Sequence, residues 1–150
     1  MPVTKNDYLP AFDEDDLEVK AIVLVVEDQA IIRINAMEMV IGAGFEALGA
    51  KNADEAIEIL EARSDIRLVF TDVEIPGTMD GIKLAHFIRG RWPKIHMIVA
   101  SGKVIIQENA LPHGSAFFSK PYFDGSIVAE MTRMLGMIDG PALNYATPND

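Results

Sequence analysis

Glu27-Asp28, Asp72, Ser101 and Lys120 each stand at or just past the end of a short apolar run. Three carboxylates, a hydroxyl and an ammonium gathered in one place suit phosphoryl transfer to a carboxylate. Clustered carboxylates attract a hard divalent cation, and Mg²⁺ takes oxygen ligands while keeping several waters. Such a cation offsets the repulsion between an incoming phosphoryl group and the nucleophile. Asp72 is the candidate nucleophile, forming an acyl phosphate. Lys120 supplies a point charge to a phosphoryl oxygen, and Ser101 a hydroxyl donor. Chemistry of this kind is mostly positioning and charge stabilisation. Core packing does not account for the set, because buried charges are costly unless paired or metal-bound.

The elements that must position these groups alternate along the chain. Ala21 to Val26 is β-branched and apolar on both faces, as a buried parallel strand is. From about Ala30 to Ala43 a helical stripe of Ile32, Ala36, Met39, Val40 and Ala43 follows. Phe45 to Ala50 reads as a strand. Asn52 caps the next helix, with Glu55 at its third position and Ala56, Ile59 and Leu60 inward. Leu68 to Thr71 is a third strand, ending at Asp72. Asp80 to about Arg91 is a helix with Leu84, Ala85 and Ile88 inward, stopped by Pro93. Ile95 to Ala100 and Ala116 to Ser119 complete the strands. Asp124 to Leu135 closes the domain as a helix burying Ile127, Val128, Met131 and Leu135. Such alternation implies an α/β fold, a parallel sheet covered on both faces. Ligands of an open α/β sheet bind outside the carboxyl ends of its strands, and that is where the reactive groups fall.

The composition narrows the function classes. The chain has 150 residues, 49% hydrophobic and 24% charged, with a net charge of −10. That describes one globular domain rather than a disordered chain. The absence of cysteine excludes disulfides, zinc–thiolate sites and thiol chemistry, and fits a cytoplasmic location. No apolar run is long enough for a membrane span, and the start of the chain lacks a secretory layout. The acidic balance disfavours nucleic-acid and membrane partners, and no Lys/Arg cluster stands out along the sequence. Residues 1–20 read as an acidic arm, 21–136 as the domain and 137–150 as an irregular tail. His86, His96 and His113 lack metal-ligand spacing. Gly42-Ala43-Gly44 follows a helix, so its glycines read as helix terminators.

The order and spacing of Glu27-Asp28, Asp72, Ser101 and Lys120-Pro121 closely resemble the receiver domain of two-component response regulators, over about Ala21 to Gly136. The resemblance implies a flavodoxin-like five-stranded sheet and phosphorylation of Asp72 by a sensor histidine kinase. It implies Mg²⁺ held by Glu27, Asp28, Asp72 and the backbone carbonyl of Glu74. Pro121 falls where receivers have a cis peptide that aims the lysine. Phe117 falls at the switch aromatic, and Ser101 matches its hydroxyl partner. With no output module following, the chain resembles the stand-alone class, which signals through a downstream protein or a phosphotransfer protein.

The sequence departs from the family pattern in three places. Gly77-Thr78 lengthens the loop after Asp72. Glu74 adds an acid beside the acceptor. The stretch from Ser101 to Lys120 is too short for an ordinary fourth helix, so Lys103 to Ala110 is expected to form about two turns that order on phosphorylation. The first helix carries Ile31, Ile34, Met37 and Ile41 on its expected outer side, a docking face for a kinase helix bundle or a second copy. Two alternatives remain: a haloacid-dehalogenase-like, Mg²⁺-dependent phosphohydrolase, and a receiver-shaped module that is never phosphorylated. The first places its nucleophile after the first strand, where this chain has its acid pair. The second has no need of the acid, hydroxyl and lysine set.

Overall fold

In the computed structural model, which describes residues 19–103 and 107–139, the apolar runs form strands β1 (Ile22–Val26), β2 (Glu46–Ala50), β3 (Ile66–Asp72), β4 (His96–Ser101) and β5 (Ala116–Ser119). Helices α1 (Ala30–Gly42), α2 (Ala53–Ala62), α3 (Gly81–Arg91) and α4 (Asp124–Asp139) lie between and after them. The sheet order is β2-β1-β3-β4-β5 and all pairings are parallel. This is the flavodoxin-like, doubly wound arrangement.

Alternate strand residues serve the two faces. Leu24, Val26, Val69 and Val99 join Leu60 of α2 and Leu84 and Ile88 of α3 in one core layer. Val23, Val25, Phe70 and Ile98 join Val40 of α1 and Ile127 and Met131 of α4 in the other. Local chemistry sets the helix ends. Asn52 Oδ1 accepts from the Glu55 amide at 2.8 Å, and the Glu55 carboxylate accepts from the Lys51 amide at 2.8 Å, which anchors α2. Asp80 Oδ1 accepts from the Lys83 amide at 2.9 Å and starts α3 beside the end of β3. Gly44, at φ +99, ends α1 as a left-handed terminator.

Several expectations need correction. In α1 the buried residues are Ala36 and Val40, with Met37 and Met39 packed partly against that layer. Ile32 is exposed and Met37 is not an outer residue. A helix apolar on every side leaves the choice of face to tertiary packing. In α4, Met134 is buried and Val128 only partly so. That helix runs past Leu135 and through Gly136 to Asp139, because no proline interrupts it before Pro141. Of the two turns expected over Lys103 to Ala110, Glu108–Ala110 forms a 3₁₀ turn, and residues 104–106 lie outside the described residues. So do most of the acidic arm and the tail from residue 140. A basic cluster does exist: Arg63 and Arg67 before and in β3 and Arg91 and Lys94 before β4 line one cleft. Two loops distant in sequence become neighbours because β3 pairs with β4.

Candidate functional site

Each reactive group is positioned by backbone pairing at the carboxyl edge of the sheet. The Glu27 amide continues the ladder to the Ala50 carbonyl at 2.9 Å. Its carboxylate accepts from the Gln29 amide at 3.1 Å, and its carbonyl accepts from Arg33 Nη1 at 2.8 Å. Asp72 ends β3 opposite Ala100, and the Val73 amide donates to the Ala100 carbonyl at 2.9 Å. The Lys120 amide donates to the Ser101 carbonyl at 2.9 Å, which ties the lysine to the end of β4. The Lys120–Pro121 peptide is cis.

The groups converge around the lysine. Lys120 Nζ lies 2.9 Å from Asp72 Oδ1 and 3.7 Å from Glu27 Oε1. Both carboxylates are buried, Glu27 at 5% and Asp72 at 8% exposure, whereas Asp28 is exposed. Burial pushes the Asp72 carboxyl up; Lys120 pulls it back, and the charges of Glu74 and Asp28 add to the rise, leaving it raised. Glu27 is likewise raised, first by burial and then by the charge of Asp72. Burial lowers the Lys120 ammonium, but its hydrogen bond to and charge attraction by Asp72, with Glu27 behind, leave it raised. The ammonium therefore stays charged while the acids around it resist ionising together.

Ser101 is 2% exposed, and its hydroxyl donates to Glu74 Oε2 at 2.6 Å. Glu74 thus reaches back from the β3–α3 loop over the end of β4. The Lys103 amide donates to Ser101 Oγ at 3.3 Å. Phe117 is half-buried in β5 and packs on the α2/α3 core layer. The loop itself turns at Gly77, φ +105, and Thr78 Oγ1 donates to Asp54 of α2 at 2.9 Å. Sequence reasoning placed the residues of this edge but missed three features. Tyr122 lines a small cavity of about 20 Å³ together with Glu27, Asp72 and Lys120; its place two residues after the lysine was the available signal. The Ser101–Glu74 bond joins residues 27 apart and had no signal. Gly81 packs so closely on Asp72 that an added Cβ would lie 2.8 Å from Val73 Cα and closer still to the Asp72 carbonyl oxygen.

Residues 23–132 match the family profile described as the response regulator receiver domain. The chain belongs to that family. It is 32% identical over 122 residues to the response regulator protein FleR of Pseudomonas aeruginosa, covering 79% of this chain and 25% of FleR. It is 34% identical over 110 residues to the transcriptional regulatory protein PdtaR of Mycobacterium tuberculosis, covering 71% of this chain and 53% of PdtaR. The chain thus spans a quarter to a half of the length of these relatives. A response regulator receiver protein from Sinorhizobium medicae superposes with a TM-score of 0.73 at 22% identity, over 78% of this chain and 95% of that one. That likeness is one of fold. As a receiver domain of response regulators, the protein is of the kind used in two-component signalling. No helix among the described residues is long and apolar enough to cross a membrane.

Proposed function

We propose that the protein accepts a phosphoryl group on Asp72 from a sensor histidine kinase and signals through phosphorylation-dependent contacts with another protein. The observation that carries this reading is the buried Asp72 carboxylate at the end of β3, with the Lys120 ammonium 2.9 Å away. A carboxylate oxygen of Asp72 attacks phosphorus. The bond from phosphorus to the donor's imidazole nitrogen breaks, and its electron pair leaves with that nitrogen. Lys120, held between Asp72 and Glu27, balances charge on the phosphoryl oxygens. The Ser101 hydroxyl turns from Glu74 to a phosphoryl oxygen, and Phe117 is proposed to follow it.

Mg²⁺ fits the donor set. Among the described residues that gather there, the edge offers carboxylate oxygens and no sulfur or imidazole. Among the described residues no three acidic or imidazole groups form a ready-made cage. Mg²⁺ needs none, because it is bound through one or two carboxylates plus waters and phosphate. Glu27, Asp28, Asp72 and the Glu74 carbonyl would hold it, and it would neutralise charge between acceptor and donor. Phosphoacceptance rather than turnover follows from the order of the groups, with the acid pair first and the nucleophile on β3. A cytoplasmic location fits a kinase-coupled role. The exposed face of α1, with Ile31 at 74%, Ile34 at 51% and Ile41 at 56%, is proposed as the kinase contact.

Incubation with Mg²⁺ and a small phosphodonor, read by intact mass, tests the reading. One labile phosphoryl group per chain is expected with Mg²⁺, and no labelling when a chelator stands in place of the metal from the start. Multiple-turnover release of phosphate would favour a hydrolase, and the absence of any adduct a module that is never phosphorylated.

A further inference from the structure

At the end of the sheet opposite the acceptor, a cleft of about 680 Å³ opens between the end of α2, the start of β3 and the α3–β4 loop. Its floor is apolar: Leu60, Ile66 and Ile95 are buried beneath it and Trp92 flanks it. Its rim is basic, with Arg63, Arg67, Arg91 and Lys94 against Glu61. Arg91 lies 5.1 Å from the Trp92 ring centroid and pairs with Glu61 at 2.9 Å, while Arg63 pairs with Asp65 at 2.9 Å. Those side chains are 40–54% exposed, so solvent screens both pairs; Arg63 holds Asp65 through two hydrogen bonds of 2.9 Å, and the Arg91–Glu61 pair is the more readily exchanged. Arg91, in the last turn of α3, complements the helix dipole. Arg67 in β3 and Lys94 before β4 complete the rim. A basic, aromatic-flanked cleft is unexpected on a chain of net charge −10.

The chain carries a segment of matching chemistry. Residues 1–18, outside the described residues, include Asp7, Asp13, Glu14, Asp15, Asp16 and Glu18 against Lys5 alone, with Tyr8, Leu9, Phe12 and Leu17 interspersed. The segment also starts from the right place. Ile22 pairs with Ile66 at the foot of the sheet, and Ile66 is itself part of the cleft floor. Val19, three residues before Ile22, is 96% exposed. Neighbouring strands lie about 4.8 Å apart, so the far side of the cleft, before β4, is about 10 Å from Ile22. Nine residues separate Asp13 from Ile22, a span of up to about 30 Å. The whole acidic run from Asp13 to Glu18 can therefore reach the rim.

We propose that the acidic segment 1–18 docks in cis on this cleft, its carboxylates on the Arg/Lys rim and its apolar side chains against Trp92 and the floor. The segment is an intramolecular acidic ligand of the domain's base. Salt weakens the contact, and a competing acidic partner displaces it.

Trp92 is the chain's one tryptophan, and the chain has no cysteine, so both optical and spin probes are unique. In the full chain, acrylamide quenching of Trp92 is expected to be weak at low salt. It rises when salt reaches about 1 M, where the screening length falls to about 3 Å. A variant combining Asp13→Asn, Glu14→Gln, Asp15→Asn and Asp16→Asn is expected to quench strongly at low salt already. Lys94→Glu with Arg67→Glu should do the same, and adding Asp13→Lys and Asp16→Lys to that pair should restore protection. Quenching that none of these changes alters would overturn the proposal. A nitroxide on Glu14→Cys should broaden the amides of residues 63–67, Arg91, Trp92, Lys94 and Ile95. Broadening confined to other regions, or seen only between a spin-labelled copy and a separate isotope-labelled one, would also overturn docking in cis.

Discussion

Substituting Gly81→Ala separates steric reasoning beside Asp72 from simple helix propensity. Gly81 is the first residue of α3, with its amide on the Val73 carbonyl at 2.9 Å. An added Cβ would lie 2.8 Å from Val73 Cα and 2.9 Å from the Asp72 carbonyl carbon, whereas real Cβ contacts stay above 3.0 Å. The obstructing atoms are backbone at the end of a central strand, so they cannot rotate away. Overpacking of this kind costs about 1–3 kcal/mol, and loosening the Gly81–Val73 hydrogen bond about 1 kcal/mol more. Gly90, near the other end of the same helix, has nothing within 4 Å of its added Cβ. There Gly→Ala should stabilise by about 0.5–1 kcal/mol. Urea unfolding with a slope of about 2 kcal/mol/M would read Gly81→Ala as a midpoint lowered by about 1–2 M, and Gly90→Ala as a small rise. Phosphoryl labelling of Gly81→Ala should also slow, because displacing the Asp72 backbone disturbs the placement of its carboxylate against Lys120. A raised midpoint for both variants would refute the steric argument and leave propensity in charge.

Three further outcomes follow from the geometry. Glu74→Ala frees Ser101 from a charge-assisted hydrogen bond of 2.6 Å, so labelling by a small phosphodonor should accelerate by about tenfold, the equivalent of about 1.4 kcal/mol from a bond worth about 1.5–3; an unchanged or slower rate in a stopped assay would count against competition for the hydroxyl. Burial, then the charges of Arg67, Arg89 and Arg133, lower the pKa of His96, whose Nε2 is buried without a hydrogen-bond partner among the described residues. The unfolded chain therefore binds more protons than the folded one below about pH 6.5, and stability falls as pH drops from there through the lowered folded value; His96→Gln should flatten that fall in urea titrations. Ile34→Glu with Ile41→Glu, on exposed α1 positions, should impair transfer from the cognate kinase while leaving small-donor labelling intact, and equal loss of both would indicate a folding defect.

The parts of the fold that were legible in the sequence are those governed by local periodicity. Ile22–Val26 is buried throughout, as an unbroken β-branched run implies, and Leu84, Ala85 and Ile88 are fully buried as their spacing predicts. The gathering of Glu27, Asp72, Ser101 and Lys120 at one edge was legible because parallel strands all deliver their ends to the same side, so these residues needed only to be strand-terminal. The face of α1 was not, since Ile31, Ile32, Ile34, Met37 and Ile41 make it apolar around its circumference and the sheet decides which side is covered. Non-local arrangements were equally silent. The Glu74–Ser101 bond depends on how the β3–α3 loop folds back, and the Arg63/Arg67/Arg91/Lys94 cleft on two loops meeting beside paired strands.

The central claim is that Asp72 is the phosphoryl acceptor. Its most direct test is to label the full chain with Mg²⁺ and a small phosphodonor, trap the acyl phosphate by borohydride reduction to homoserine, and locate the reduced residue by peptide mass mapping. The account predicts conversion at position 72 alone, and none in Asp72→Asn, whose fold should remain intact by circular dichroism. Conversion at Asp28 or another acid, or undiminished labelling of folded Asp72→Asn, would contradict it.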